Sequence, residues 1–585
     1  MADPWIPRAI TLDIIPSKDV DEMLGLWKSE DGPNFAKVHA DNKLRKYLTL
    51  NRPSAAVPLR SILSCAIKRY QCILLRESPY LDIEFWDNHN RFYSGIFSQY
   101  PPYCDRIHFY ANVDDPEKLK ECLESGNCPS ELQSDDSPVE YRGFCVLRPT
   151  PAFVVSRTAL MFDTRDFESL PDGVSMPVES DTRPFLKVQY TCVSHLFNTT
   201  NTFETAEFIQ QDPNLGHCGT AALWVTTKAM AQKFGTNRFP YGTITRQAIG
   251  GWNRDRDVNV IYDPQNMESG ISVSEIRNAL AETGASSLPF MPFEGEAPDS
   301  AFTRICHEIY SFSESGIPVL LCLKKKQNHE SHVVVVVGHA LPKVVPFNQL
   351  NSVATAIGGC GGARHHLLSS AIRVYYAHDD SYGPFNRVEM CGPEVPPDED
   401  EEQPPAPAQT PPGPPEILVR MGRNQDEYYL KEVVVPAPKS VRNYASQPLE
   451  LLVSQFEEKF GSLTGSMVWR SILLESSRFK ESLVERKFSG ETRAWYGRLH
   501  LPEFIWLYEL SICDQNAAEW ESESHWQNDS KRREICGEFL FDATSPSYDV
   551  RIIASRFLNL AWDHSMKPSE VKRLGPQMDF FECFT

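Results

Sequence analysis

Apolar and polar residues are patterned most regularly in the middle of the chain. Residues 316–342 contain an apolar stretch, a polar turn and five consecutive valines, a pattern typical of two strands, the second deeply buried. Residues 371–385 predict an aromatic strand that runs into two aspartates and a turn. The alanine-rich run at 218–234 predicts a helix.

The flanking regions also predict mixed α and β structure. Towards the N-terminus, the patterns predict a helix at 61–75 and strands at 106–113 and 141–150. Towards the C-terminus, they predict strands at 428–438, 503–513 and 537–544 and helices at 448–460 and 468–488. We interpret His108 and Cys145, which fall in N-terminal strands, as packed core residues rather than ligands.

A segment rich in proline and carboxylates interrupts these patterns at 393–416. Its residues cannot enter a hydrophobic core, so we predict an extended linker or surface loop. The chain is therefore predicted to be an α+β protein with several regions. They are a mixed α/β domain of unknown role (1–180), a central domain (181–392), the linker (393–416) and a C-terminal α/β region (417–585) whose first strand is a candidate to complete the central domain.

Composition excludes several classes of function. A formal net charge of −20 has the wrong sign for binding a nucleic-acid backbone, so we expect no nucleic-acid partner. No apolar run approaches the roughly 18–20 residues of a membrane span, and no signal-peptide pattern opens the chain. Fifteen cysteines without close Cys-x-x-Cys pairs indicate reduced thiols. We expect a multidomain cytoplasmic protein that does not associate with membranes.

Cys218 occupies a position that suits a reactive thiol. It would open the predicted helix at 218–234, where unpaired backbone N–H groups and the helix dipole favour the thiolate. A cysteine nucleophile needs a base from a distant part of the chain, and His332 stands at the entrance of the valine strand. His339 lies seven residues further along and on the opposite face, and His329 precedes the strand in a turn.

Two further groups complete the candidate site. Asp379 or Asp380, at the end of the strand in 371–385, can orient the imidazole and stabilise its protonated form. Because the two aspartates are adjacent, we expect one to face His332 and the other to cap the turn. Gln211 precedes Cys218 by seven residues, and its side-chain amide can form an oxyanion hole with the Cys218 backbone N–H.

The order of these residues resembles that of papain-like cysteine peptidases, and in pattern most closely the bacteriocin-processing (double-glycine) peptidase-like bacterial branch. The resemblance covers roughly residues 190–390 and implies a papain-like α+β domain, in which the Cys helix packs on an antiparallel sheet bearing His and Asp. It matches Gln211 to the oxyanion donor, Cys218 to the nucleophile, His332 to the base and Asp379 to the orienting carboxylate. The chain departs from the family in reading Cys-Gly-Thr rather than Cys-Gly-Pro and in an insertion around 347–368.

The resemblance implies hydrolysis of peptide or isopeptide bonds in a protein or peptide substrate. A transglutaminase-like acyltransferase would use the same residues, and a catalytically inactive papain-fold scaffold is a third hypothesis. We expect no nucleotide cofactor, because no glycine-rich loop ends in Gly-Lys-Ser/Thr. We also expect no metal, since Cys360, His365 and His366 lie in a glycine-rich segment interpreted as a surface loop. The oligomeric state is left open.

Overall fold

A computed structural model gives the architecture of most of the chain. The residues that it describes are 10–15, 57–91, 93–95, 100–126, 138–150, 154–161, 182–212, 218–250, 271–342, 344–346, 350–357, 365–393, 414–422, 425–460, 466–485, 490–513, 519–521, 537–545 and 552–557. The linker predicted at 393–416 lies almost wholly outside these ranges. Residues 213–217, directly before Cys218, and 358–364, which include Cys360, also lie outside them.

The described residues form twenty-two strands and eleven α-helices. The strands are β1 (Thr11–Ile15), β2 (Ile73–Tyr80), β3 (Cys104–Ala111), β4 (Glu140–Leu147), β5 (Val155–Leu160), β6 (Thr182–Leu186), β7 (Tyr190–Leu196), β8 (Thr199–Thr205), β9 (Ala285–Phe290), β10 (Val319–Lys325), β11 (Ser331–Pro342), β12 (Val344–Pro346), β13 (His365–Leu367), β14 (Val374–Asp379), β15 (Gly383–Pro393), β16 (Ile417–Met421), β17 (Asp426–Pro438), β18 (Ser466–Glu475), β19 (Phe504–Cys513), β20 (Glu519–Glu521), β21 (Gly537–Asp542) and β22 (Ile552–Phe557). The helices are α1 (Val57–Ser64), α2 (Ile83–Arg91), α3 (Pro116–Ser125), α4 (Cys218–Phe234), α5 (Tyr241–Gly250), α6 (Val273–Glu282), α7 (Pro298–Glu314), α8 (Val353–Ile357), α9 (Leu449–Phe460), α10 (Ser476–Glu485) and α11 (Gly490–Arg498).

An antiparallel sheet that closes on itself lies at the centre of the molecule. The strand order is β10-β11-β14-β15-β16-β17, and β17 pairs again with β10, which makes a six-stranded barrel. Strand β6 adds to β11 and strand β9 adds to β17. The two strands that close the barrel, β16 and β17, come from beyond the acidic proline-rich segment.

Two further sheets flank the barrel. The N-terminal sheet is an antiparallel meander in the order β1-β2-β3-β4-β5. The C-terminal sheet has the order β13-β18-β19-β21-β22, in which β13 runs parallel to β18. Two smaller pairs, β7–β8 and β12–β20, complete the strand pairing among the described residues.

The barrel contributes to two hydrophobic cores because its strands alternate in facing. Val334 and Val336 belong to a cluster that includes the apolar side chains of β14, β15 and β16 and reaches the C-terminal sheet. Val333 and Val335 belong to a second cluster, which includes helix α4 and the N-terminal sheet. Helix α4 packs against β11 itself. The valine run therefore packs against α4 with one face and into the barrel interior with the other.

Most of the predicted elements are confirmed. They are the helices at 218–234 and 448–460 and the strands at 106–113, 141–150, 428–438, 503–513 and 537–544. The two strands predicted within 316–342 and the strand within 371–385 are also present, as β10, β11 and β14. The molecule is an α+β protein, as predicted.

Two predicted helices are wrong in part. The helix at 61–75 ends with a π-helical turn at Arg69, because Gln71 adopts a left-handed φ of 50° and Ile73 begins β2. The helix predicted at 468–488 is a strand as far as Glu475 and a helix only afterwards, in α10. Strand β18 pairs with β19 over ten residue pairs, so long-range pairing outweighs the local helical pattern here.

No helix within the described ranges is long and apolar enough to cross a membrane.

Candidate active site

One end of the barrel brings together three hairpin turns. These turns join β10 to β11, β14 to β15 and β16 to β17. Tyr382 ties two of them together, because its hydroxyl donates to Asp426 and its ring packs on Gly422, where a Cβ would lie 2.6 Å from the ring. Lys325 Nζ lies 3.1 Å from Asp426 Oδ2. These contacts give the open end of the barrel a defined rim, and the candidate residues lie beside it.

Cys218 is the first residue of α4, as predicted. Its side chain is partly buried and packs at the edge of the core that α4 shares with the barrel. The next residue must be small, because a Cβ on Gly219 would lie 2.6 Å from Ile271 Cγ1. The thiol therefore stands at a helix N-terminus, where unpaired N–H groups and the helix dipole stabilise an anion.

His332 is held by β11 with its ring close to the barrel opening. It pairs with Leu323 of β10 and shares the strand face of Val334, which points into the barrel. Its side chain is 13% exposed. The imidazole interacts electrostatically with Cys218, and Nε2 lies 3.2 Å from Asp379 Oδ1. Tertiary structure thus joins three residues that are far apart in sequence.

The charges around His332 favour the imidazolium. Burial alone would lower the pKa of His332, but the Asp379 carboxylate and the Cys218 sulfur outweigh burial and raise the pKa well above its usual range. A protonated His332 imidazole carries a positive charge, and this charge can stabilise a thiolate on Cys218. The arrangement can therefore support a thiolate–imidazolium pair.

Both aspartates face the imidazole, which corrects the expectation that only one would. Asp380 Oδ1 lies 4.0 Å from His332 Nε2, and Asp379 is the nearer of the two. The strict alternation of side chains ends here, because the β14–β15 register shifts between Ala377 and Asp379. Asp379 also caps the turn, since its Oδ1 accepts from the backbone N–H groups of Ser381 and Tyr382.

Asp380 differs from Asp379 in its hydrogen bonding. It is 4% exposed, and neither carboxylate oxygen has a hydrogen-bond partner in the described part of the chain. Burial and the neighbouring Asp379 charge raise the pKa of Asp380 to about 7, although His332 opposes them. The site therefore contains one carboxylate fixed by the turn and a second whose protonation changes near neutral pH.

The backbone of Gln211 is held by Arg148, and within the described residues no hydrogen bond joins the Gln211 side chain to the other candidate residues. Gln211 is half-buried, and its backbone carbonyl accepts from the Arg148 guanidinium at 3.0 Å. Arg148 also bonds the Gln210 carbonyl and pairs with Asp212 at 3.4 Å. Arg148 comes from the N-terminal region and was missed by sequence reasoning, because nothing near 148 signals a role at 211.

A second residue that sequence reasoning missed connects this segment to the candidate site. The hydroxyl of Tyr241 accepts from the Asp212 backbone N–H at 3.2 Å. Tyr241 also interacts electrostatically with Asp380, and burial together with the Asp212 and Asp380 charges raises its pKa far above normal. Tyr241 therefore connects the segment that carries Gln211 to the surroundings of Asp380.

The competing histidines have other environments. His339 is buried at the far end of β11, where Nε2 lies 3.4 Å from Glu314 Oε2. His329 is exposed in the β10–β11 turn with a left-handed φ of 62°. His108 is a buried core residue bonded to Glu77 and Tyr141, in line with its interpretation as a packed side chain.

The surface-loop interpretation is wrong for His365. This residue lies in β13 with no exposed surface; its Nε2 is 2.7 Å from Glu457, and its Nδ1 accepts from Trp469 Nε1 at 3.0 Å. His366 is half-buried and contacts the Leu350 carbonyl. Strand pairing with β18 turns this part of the insertion into structure that supports the C-terminal sheet.

Comparison with known proteins finds no match to this chain among protein-family models, curated proteins or solved structures.

Proposed function

We propose that the chain is a papain-like cysteine peptidase that hydrolyses amide bonds of a protein or peptide substrate. The observation that carries the proposal is that His332 interacts electrostatically with Cys218 while its Nε2 lies 3.2 Å from Asp379 Oδ1. A thiol at a helix N-terminus, a helix packed on an antiparallel barrel, and a histidine and an aspartate on that barrel agree with the fold that the resemblance implies.

The proposed reaction begins with an ion pair. His332 holds the proton of Cys218, and Nδ1 is assigned to the thiol because Nε2 faces the carboxylates. The thiolate attacks the substrate carbonyl carbon, and a C–S bond forms as the carbonyl electron pair moves onto oxygen. His332 then donates its proton to the leaving nitrogen and the C–N bond breaks, leaving a thioester. Water, deprotonated by His332, hydrolyses the thioester and regenerates the thiol.

Two groups are proposed to assist these steps without forming bonds to the substrate carbon. Asp379 orients the imidazole and stabilises its charge, and the turn that it caps keeps the carboxylate in place. Gln211 donates its side-chain amide to the developing oxyanion together with the Cys218 backbone N–H. Arg148 supports that role by fixing the Gln211 carbonyl. We place the activity in the cytoplasm, where a reactive thiol stays reduced.

Thiol labelling tests the proposal directly. Iodoacetamide at mildly acidic pH should alkylate Cys218 at least about tenfold faster than an ordinary thiol, because only the ion pair supplies thiolate there. Peptide mapping by mass spectrometry locates the label. Cys122→Ser is the matched control, since Cys122 is also partly buried but lies on α3 outside the site. Labelling of Cys218 no faster than of Cys122 would refute the ion pair.

A second experiment distinguishes the peptidase from the two alternatives. A peptide pool is incubated with the protein, with and without an added primary amine, and the products are weighed. Hydrolysis adds the mass of water to each new carboxyl end, whereas a transglutaminase-like acyltransferase leaves the amine attached. Fast labelling of Cys218 with no product from a broad pool of peptides and folded proteins would favour the inactive scaffold.

A further inference from the structure

Three potential metal ligands surround a single point beside the proposed catalytic histidine. One ligand atom from each of His332, Asp379 and Asp380 lies within 4.8 Å of the others. The His332 Nε2 atom is 3.2 Å from Asp379 Oδ1 and 4.0 Å from Asp380 Oδ1. In a tetrahedral zinc site with bonds of about 2.0–2.2 Å, neighbouring ligand atoms are about 3.3–3.6 Å apart. Side-chain shifts of less than an ångström or so would bring all three ligands to bonding distance of one ion.

The hydrogen bonding of the two carboxylates gives an independent reason to expect a cation. Both oxygens of Asp380 and Oδ2 of Asp379 are buried without a hydrogen-bond partner among the described residues. Asp380 is 4% exposed and Asp379 is fully buried, so bulk solvent does not reach these oxygen atoms. Buried carboxylates in folded proteins are ordinarily paired, hydrogen-bonded or bound to metal. Asp379 has its turn contacts, whereas Asp380 has only the 4.0 Å approach to His332 Nε2 and no hydrogen bond among the described residues. A triad with a single orienting carboxylate does not need Asp380.

We propose that His332, Asp379 and Asp380 form a binding site for Zn²⁺, and that the bound ion holds the proposed peptidase in a reversible inactive state. Zinc accepts one imidazole nitrogen and two carboxylates, whereas Mg²⁺ and Ca²⁺ prefer all-oxygen sites. Cys218 is not part of the ligand set, since the ligand atoms that lie close together belong to His332, Asp379 and Asp380. Water or another small ligand takes the fourth position.

Zinc binding and the thiolate–imidazolium pair exclude each other for a chemical reason. The ion bonds to the Nε2 lone pair, so the proton on that nitrogen is released to solvent as Zn²⁺ binds. The zinc-bound imidazole is neutral and keeps its single proton on Nδ1. It therefore has no free lone pair with which to accept the proton of the Cys218 thiol, and Asp379, bound to the ion, no longer orients the ring. Because metal and protons compete for the same groups, zinc affinity should rise with pH.

The test of metal binding does not depend on catalysis. Full-length Cys218→Ala protein, stripped of metal, is titrated with Zn²⁺ in competition with a chromophoric chelator. We expect one zinc per chain, with an affinity within about threefold of the wild-type protein because the thiol is not a ligand. Asp380→Asn should weaken zinc binding by about tenfold or more. Asp426→Asn is the matched control: it removes a carboxylate from the same end of the barrel and should leave the affinity unchanged.

Several results would overturn the zinc site. Equal affinity in Asp380→Asn and wild-type protein, loss of zinc in Cys218→Ala, or Mg²⁺ displacing the zinc at similar concentration each exclude the proposed ligand set. Circular dichroism establishes that each variant is folded, and His332→Asn is a second variant if Asp380→Asn fails to fold. Zinc should also slow iodoacetamide labelling of Cys218 relative to each protein's own metal-free rate. If zinc binds but does not slow the labelling of Cys218, the zinc site stands and the proposed inhibition is refuted. If the peptidase proposal fails, zinc binding itself is not affected, so the two failures are distinguishable.

Discussion

Strand β11 carries a histidine near each end, and both histidines face a buried carboxylate. At the open end of the barrel, His332 faces Asp379 and Asp380, and burial lowers its pKa less than Asp379 and Cys218 raise it. At the other end, His339 faces Glu314, and burial lowers the pKa of His339 to about 4. The same residue type on one strand therefore has a raised pKa at one end and a lowered pKa at the other.

The cations near each carboxylate explain why the pKa shifts of the two histidines have opposite directions. Glu314 is paired with Arg470 and with Lys187, whose Nζ lies 3.2 Å away. Burial would raise the pKa of Glu314, but Arg470, Lys187 and His339 lower it to about 2. The Glu314 charge is thus already balanced before His339 could take a proton. His332 instead faces two carboxylates and a thiol.

This contrast separates a structural network from a reactive one. The Glu314 network joins α7 to β18, packs His339 against Phe185 and Tyr310, and contributes to stability. The His332 cluster leaves carboxylate oxygens unpartnered in a buried place, which costs stability. A protein retains such a cost where the charges perform a function.

The largest expected effect is the loss of His332. His332→Ala should slow alkylation of Cys218 at mildly acidic pH by about 10²–10⁴-fold, the usual contribution of a positioned acid–base group. The fold should survive, because the ring lies at the barrel end rather than in its core. Iodoacetamide kinetics measure the rate. His339→Ala is the matched control and should retain the rate while lowering the melting temperature. If both variants slowed the alkylation of Cys218 to the same degree, the two histidines of β11 would not differ in function.

Arg470→Met should produce the largest loss of stability. It leaves Glu314 and Glu509 buried without their shared cation, and breaking a buried ion pair costs about 3–5 kcal/mol. Urea unfolding measures the free energy of unfolding. Arg420→Met removes a surface cation paired with Glu427 and should cost less than about 1 kcal/mol. A similar loss of unfolding free energy in the two variants would mean that the Glu314 network contributes no more to stability than a surface ion pair.

Asp379→Asn should change the pH dependence of peptide hydrolysis. Without the Asp379 charge, the pKa of His332 falls, so the imidazolium that protonates the leaving nitrogen is lost at a lower pH. We expect the alkaline limb of the hydrolysis profile to move down by about one pH unit or more, where one unit corresponds to a tenfold change in rate at fixed pH. An unchanged alkaline limb would remove Asp379 from the orienting role.

The groups at the two ends of β11 should also contribute to folding stability with opposite pH dependences. His332 has a raised pKa in the folded state, so its contribution to stability is complete below about pH 6.5 and is lost as pH rises through the folded value. Asp380, raised to about 7, likewise loses its contribution as pH rises from its unfolded value of 3.8 to about 7. His339 and Glu314 have lowered values, about 4 and about 2, and their contributions are lost as pH falls.

Urea unfolding across pH 4–9 tests this difference in sign. His332→Gln should flatten the decline in stability on the alkaline side, and His339→Gln should flatten the decline on the acid side. If both variants changed the slope of unfolding free energy against pH in the same way, the pKa of His332 could not be raised while that of His339 is lowered.

The smallest effect is expected for Lys187→Met. Lys187 is about one-third exposed, at 34%, and Glu314 keeps its pairing with Arg470 when the lysine is lost. Solvent screening limits such a pair to about 0.2–1 kcal/mol. A loss in urea unfolding as large as that of Arg470→Met would show that the two cations are equivalent.

Much of the fold was predictable because it depends on local patterns. Helix α4 begins at Cys218 and ends at Phe234, and the valine run forms the centre of β11. Both have strong periodicity and long apolar faces. The predicted helix at 468–488 failed because its first half pairs with β19, and a partner nearly forty residues away leaves no local signal.

The candidate site was partly predictable for the same reason. Cys218, His332 and Asp379 each stand at the end of a recognisable helix or strand, so their positions could be read from the pattern. Arg148 and Tyr241 could not, because they act on the segment at 211–212 from distant parts of the chain. The second aspartate facing His332 depends on a register shift in β14, which the sequence does not display.

The sequence by itself determined which segments form the central helix and strands and which residues stand at their ends, because helical and strand periodicity are local properties of the chain. Only the tertiary structure decided that β16 and β17 close the barrel, that Cys218 interacts electrostatically with His332, and that Asp380 faces the same nitrogen as Asp379. Charge balance explains why β11 carries one histidine that holds its proton and one that does not. That balance depends on which cations and carboxylates folding brings within a few ångströms.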